Sequence, residues 1–171
     1  INININININ NNNNILEGSG KFQIGDQIDK IRYNLDFNDE KINYDLNFDL
    51  NEMPIQIDQI NFSKKENIKA KLRVVGKNHN KKIKLKKISF KTQDSNFILD
   101  NIEFTKNYRI ANFEQIKLNY FDNENKKNDL LIINNKKNNY LISGNNFNLS
   151  KIIDDTLFNE NDEPVKIFDK K

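Results

Sequence analysis

From residue 31 to residue 50 the chain alternates apolar and polar side chains, and this period of two decides what it can fold into. Ile31, Tyr33, Leu35 and Phe37 fall on one side, with Arg32, Asn34 and Asp36 on the other. Asn38-Asp39-Glu40-Lys41 reads as a hairpin turn, after which Ile42, Tyr44, Leu46, Phe48 and Leu50 resume the pattern against Asn43, Asp45, Asn47 and Asp49. On a helix these residues would scatter around the axis; on a strand they make one dry face and one wet face. The segment reads as an antiparallel hairpin with a single apolar side.

The alternation continues along the chain with small slips of phase. Ile55 and Ile57 precede Ile60 and Phe62, Ile83 and Leu85 precede Ile88 and Phe90, and Leu99 precedes Ile102 as Phe113 precedes Ile116. A spacing of three inside a period-two run demands a β-bulge or a tight turn, and repeated bulges coil a sheet. Ile68, Ala70, Leu72 and Val74 lead to Gly76 and a turn at Asn78-His79-Asn80, while 116–120, 130–133 and 140–143 supply later strands. The first ten residues alternate Ile and Asn strictly, as another strand or as low-complexity drift, and the Asn run at 11–14 reads as a loose turn.

Leu149, Ile152, Ile153 and Leu157 recur at helical spacing, which predicts one short helix over 149–158 with a frayed, charged tail at 159–171. The expected organisation is a low-complexity Asn/Ile segment at 1–14, a curved domain at 15–158 and the tail. The fold class is all-β: a curved, mostly antiparallel meander of about nine to eleven strands with that helix. Because the chain starts at Ile1 inside a repetitive pattern, it reads as a fragment of a longer repetitive assembly.

Composition removes several chemistries. Asn, Ile and Lys occupy 35, 26 and 24 of the 171 positions, and their codons are built mostly from A and T. Base bias therefore accounts for much of the Asn and Lys content. The absence of Cys excludes disulfides, thiolate metal sites and Cys nucleophiles, and His79 is the sole histidine. The longest apolar run, 130–133, falls far short of the ~20 residues that span a bilayer. No basic-then-apolar signal peptide opens the chain.

Enzyme motifs fail in turn. Gly18-Ser19-Gly20-Lys21 superficially resembles a phosphate loop, but Ile15 and Phe22 stand where Gly and Ser or Thr are required, and Gln23 breaks the dinucleotide fingerprint. The acidic stretch 159–163 lacks the Gly and the terminal Glu of a calcium loop. Asn61-Phe62-Ser63 and Asn148-Leu149-Ser150 match the glycosylation sequon, as chance predicts in so Asn-rich a chain. The reading is non-enzymatic, with no cofactor and no metal.

Charge is unevenly spread. Residues 64–91 carry eleven Lys and Arg73 against Glu66, a net +11, whereas 1–63 sum to −6 and 92–171 to −2. Lys82, Lys84 and Lys86 alternate with apolar residues, so the plainer reading is a solvated strand face that resists edge pairing. The functional alternative is contact with anionic headgroups or lipopolysaccharide. Nucleic acid would require exposed aromatics for stacking, yet Phe90, Phe62 and Tyr44 fall in the dry phase.

The dry face itself needs a cover. One short helix cannot bury it, so it must pack on a second layer, on itself, or on a ligand. A groove holding acyl chains satisfies this, and so does a β-sandwich.

Gly18-Ser19-Gly20-Lys21-Phe22-Gln23-Ile24-Gly25, followed by Ile28-Asp29-Lys30-Ile31-Arg32-Tyr33, resembles a stretch of AsmA-like envelope proteins from AT-rich proteobacteria. Tyr140-Leu141-Ile142-Ser143-Gly144-Asn145-Asn146-Phe147-Asn148-Leu149-Ser150-Lys151-Ile152-Ile153 is similar to that family's strand, Gly, Phe-Asp and short-helix unit, with Asn148 in place of the usual Asp. The resemblance implies a long β-groove in the periplasm, anchored to the inner membrane by a segment outside this sequence, that passes phospholipids toward the outer membrane. Acyl chains would then lie on Tyr33, Leu35, Phe37, Tyr44, Leu46, Phe48, Ile57, Phe62, Leu72, Leu85 and Phe90. The implied partners are phospholipids and envelope membranes rather than nucleic acid. The alternative is a structural or adhesive β-repeat of a secreted or surface protein.

Overall fold

The computed structural model describes residues 2–10, 14–38, 41–79, 82–104, 110–135 and 139–147. The helix expected over 149–158 and the tail lie outside the described residues, as do residues 39 and 40 of the first hairpin turn. The chain is all-β, an antiparallel sheet that does not close into a barrel. Its strands are β1 (Asn2–Asn10), β2 (Ile15–Ile24), β3 (Gln27–Asn38), β4 (Lys41–Asp49), β7 (Lys71–His79), β8 (Lys82–Lys91), β9 (Asn96–Phe104), β11 (Gln115–Phe121), β12 (Lys127–Asn134) and β13 (Tyr140–Asn146), each beside the one before it. Short β10 (Ile110–Asn112) pairs with β9. The excursion between β4 and β7 forms a separate two-stranded sheet, β5 (Ile55–Ile57) and β6 (Phe62–Lys64).

The hairpin over 31–50 has the register its alternation dictates. Ile31 stands opposite Phe48, Tyr33 opposite Leu46, Leu35 opposite Tyr44 and Phe37 opposite Ile42. Partners on adjacent strands share a face, so apolar rows run across the sheet. One row passes through Ile31, Phe48, Leu72, Phe90, Phe97, Leu118 and Leu130. The next passes through Tyr33, Leu46, Val74, Ile88, Leu99, Ile116 and Ile132.

The slips of phase have two different structures. Within the sheet they are irregularities of register: Val75 pairs with Lys87 but Gly76 with Leu85, so β8 carries an extra residue at Lys86. On β9, Asn101 sits opposite that point at φ 51°, a left-handed conformation that Asn tolerates better than most residues. The slip at Asp58-Gln59 is instead a 3₁₀ turn, Asp58–Ile60, ending on Asn61 at φ 51°. It reverses the chain between β5 and β6, and so folds residues 50–70 over the sheet rather than along it.

The Ile/Asn alternation at the start is a strand in the structure, with Asn2–Asn10 pairing along its whole length with β2. The β2–β3 turn is a two-residue loop, Gly25-Asp26, with Gly25 at φ 59° as the first position of a type II′ turn requires.

Candidate functional site

The apolar face is divided by the β5–β6 hairpin. At the end of the sheet where β4 stops and β7 starts, Leu50, Met53, Phe62 and Ala70 join Phe22, Phe90, Phe97 and Tyr120 in one buried cluster. Phe62 is its centre. Its ring makes edge-on contacts with Phe90, Phe97 and Tyr120 at centroid distances of 5.9, 4.9 and 5.7 Å, touching three successive strands. Phe22 and Phe48 meet at 5.5 Å although β3 runs between their strands. Two strand spacings are about 9.6 Å, so these side chains lean together, as they do on a concave face.

Polar groups lock this cover at both margins. Asp29 belongs to the apolar phase of β3, and its carboxylate, 5% exposed, accepts the N–H groups of Asn51, Glu52 and Met53 at 3.1, 3.0 and 3.3 Å. Lys64, 4% exposed, donates to the carbonyls of Asn51, Met53 and Lys65 at 3.0, 2.6 and 3.0 Å. Desolvation lowers its pKa, opposed by the charges of Asp29, Glu52 and Glu66. On the other margin the Tyr120 hydroxyl donates to Ile60 O at 2.8 Å, and burial with the nearby Asp122 charge pushes that phenol up to about 12. Asn123 N–H donates to Asn61 O at 2.9 Å, and the Ser63 hydroxyl donates to the Asn123 side chain.

The eleven residues expected to bear acyl chains fall into two groups. Phe48, Leu72 and Phe90 belong to the covered end, and Ile57 and Phe62 stand on the cover, facing the sheet rather than forming part of it. Tyr33, Leu35, Phe37, Tyr44, Leu46 and Leu85 lie in rows beyond the buried cluster. Tyr33 is buried, Leu35, Tyr44, Leu46 and Leu85 are half-buried, and Phe37 is 36% exposed. Exposure is uneven there: Ile102, opposite Leu85, is 1% exposed and Leu99 packs against the buried cluster, whereas Phe37 remains in contact with solvent.

Its floor has two special features. Gly76 faces Tyr44, and a Cβ there would stand 2.5 Å from the phenol oxygen and 2.7 Å from Lys84 O, so the missing side chain makes room for the tyrosine. Burial raises the Tyr44 pKa. Asn78 occupies an apolar-phase position between Ile42 and Ile83, and its side-chain oxygen is buried without a hydrogen bond.

The opposite face is wet. Arg73 holds Asp45 at 2.6 Å, which lowers the carboxyl pKa, and Lys84 holds Glu103 at 2.6 Å. Among the described residues no three His, Asp or Glu side chains gather to hold a metal, and no helix is long and apolar enough to cross a membrane. The polar clamp was missed in the sequence. Its signal was present, since Asp29 shares the parity of Ile31 and Tyr33, and Lys64 that of Phe62. A charge in the dry phase marks a buried partner.

The chain matches no family model, no curated protein and no solved structure.

Proposed function

We propose that the protein is a non-enzymatic lipid carrier in which acyl chains lie along the part of the apolar face beyond the β5–β6 cover. The observation that carries this reading is the apolar surface beyond the cover, where Leu35, Tyr44, Leu46 and Leu85 are half-buried and Phe37 is 36% exposed. Contacts there are dispersive and hydrophobic, so the reading requires no cofactor. The Tyr44 hydroxyl offers a polar position at which a headgroup or ester oxygen would stop. The resemblance of 18–33 and 140–153 to AsmA-like proteins supports a periplasmic place in a bacterial envelope, with phospholipid moved between its membranes.

The test is Leu46→Asp. A sealed core would bury the new carboxylate at a cost of several kcal/mol, whereas an open groove hydrates it. The lipid reading expects co-purifying phospholipid with wild type, loss of that lipid with Leu46→Asp, and a nearly unchanged melting temperature. A collapsed variant, with no lipid extracted from wild type, would favour the structural or adhesive repeat instead.

A further inference from the structure

At the covered end of the sheet, on its polar face, lysines stand in one row. Lys21 is directly opposite Lys30, and Lys71 directly opposite Lys91. Like charges in such positions repel. A comparable pair, Lys77 and Lys84, is relieved internally because Lys84 binds Glu103. The row at the covered end has no such relief. Its one acid, Asp49, lies opposite Lys71 but bonds to Arg32 at 3.3 Å, and none of the four lysines forms an ion pair among the described residues. Other acids at this end are engaged as well: Asp29 with the 51–53 backbone, Asp122 with its own turn, and Glu66 with Gln27. Asp26, Glu52 and Asp94 remain.

Two recesses border the row, one of about 820 Å³ whose lining includes Lys69, Lys71, Lys91 and Ile68, the other of about 440 Å³ whose lining includes Lys21, Lys30 and Ile28 together with Asp29 and Glu52. They share Asp49 and Asn51 as a common wall. Two large apolar side chains are exposed beside the cations, Ile28 at 50% and Ile68 at 47%. From β2 to β8 the row crosses four strand spacings, about 19 Å. Spaced cations beside exposed aliphatic tips suit a bilayer interface, where lysines meet headgroups and isoleucines enter the acyl boundary. Nucleic acid fits less well, because no aromatic side chain lines either recess to stack on a base.

We propose that this end of the protein docks on a membrane surface rich in anionic phospholipid, with Lys21, Lys30, Lys71 and Lys91 on the headgroups and Ile28 and Ile68 inserted between them. The docking does not require acyl chains on the apolar face, and the two ideas fail separately.

The experiment is vesicle co-sedimentation with the full chain, using pure phosphatidylcholine vesicles and phosphatidylcholine vesicles containing phosphatidylglycerol. Wild type is expected on the anionic vesicles, with binding that weakens as salt rises. A lysine near such a surface contributes about fivefold in partitioning, so replacing all four by Gln should weaken binding at least tenfold. Replacing Lys77, Lys86, Lys87 and Lys117 by Gln removes equal charge elsewhere and should cost much less. Ile28→Ser with Ile68→Ser should weaken binding at high salt, where the electrostatic part is screened, and supplies a second test should the lysine variant fail to fold. Equal binding to both vesicle types, equal losses in the two lysine sets, or salt-sensitive binding to an oligonucleotide with none to vesicles would each overturn the proposal. Docking on vesicles by a protein that carries no extractable lipid would leave it standing while removing the carrier reading.

Discussion

Asp29 and Lys64 grip the same loop by its opposite polarities: the carboxylate takes the N–H groups of Asn51, Glu52 and Met53, and the ammonium gives to the carbonyls of Asn51 and Met53. Both side chains are buried, so each charge is compensated by backbone dipoles and by the other. This arrangement converts a polar loop into an anchor for an apolar cover. It also explains how a chain with so little helix among its described residues closes part of its dry face.

Removing one member should therefore be costly. Asp29→Ala leaves three N–H groups without an acceptor and takes from Lys64 one of the three acids that favour its charge, with an expected loss of about 3–5 kcal/mol. Lys64→Met added to Asp29→Ala should cost less than the sum of the single changes, with a coupling of at least about 0.5 kcal/mol. Urea unfolding of the four proteins measures this, and strict additivity would show that the two groups act independently.

Alkaline unfolding should report on Tyr120. Its phenol is raised from 10.0 to about 12 by burial, with Asp122 adding to the effect. A folded pKa above the unfolded one means the unfolded state loses its proton first, so the stabilisation is complete below pH 10 and is lost as pH rises toward 12. Lys64 runs the opposite way, because its lowered folded pKa lets stability grow as pH approaches 10.5. Tyr44 adds to the tyrosine limb. The comparison is therefore between wild type and Tyr120→Phe across pH 8 to 11. The variant should lose about 1 kcal/mol at neutral pH with the bond to Ile60 O, and should fall less steeply above pH 10. Parallel curves would contradict the assignment.

Gly76 tests the floor beyond the cover. An added Cβ would meet both the Tyr44 phenol and the backbone oxygen of Lys84. Gly76→Ala should destabilise by about 1–3 kcal/mol, the usual cost of overpacking. Pairing it with Tyr44→Leu should recover only part of that, because Lys84 O remains in place. Full recovery, read from thermal melts, would mean that the tyrosine alone excludes a side chain.

How much of this was legible follows from what each residue type can signal. Strict alternation over 31–50 carries its own register, since a shift by one residue would turn Tyr33 and Leu46 to water. The spacing of three at Leu85 and Ile88 marked an irregular register, and the same spacing at Ile57 and Ile60 marked a 3₁₀ turn. Period alone does not separate the two, because both restore the apolar phase after one extra residue. The cover was illegible for that reason, as bulge and reversal look alike until the partners of the flanking strands are known. Asparagine hid the rest. Asn61, Asn67, Asn101 and Asn125 all adopt positive φ, yet in a chain with 35 asparagines these four look like any others.

The division of the apolar face gives the last prediction. Phe62 is 2% exposed and touches three aromatic rings, whereas Phe37 is 36% exposed at the far end of the same hairpin that carries Tyr33. Phe62→Ala opens a cavity beneath a cover held by hydrogen bonds on both margins, where little collapse can fill it, and should cost about 3–5 kcal/mol. Phe37→Ala removes a ring already about a third in water and should cost less than about 1 kcal/mol. Denaturant midpoints at constant slope decide between this and a uniformly sealed sandwich, in which both changes would be severe. Bound lipid adds a second axis. If acyl chains lie beyond the cover, Phe37→Ala should weaken lipid retention while leaving the fold intact, and Phe62→Ala should lower stability while leaving the lipid content of the protein that remains folded unchanged. The reverse pattern would move the lipid beneath the cover.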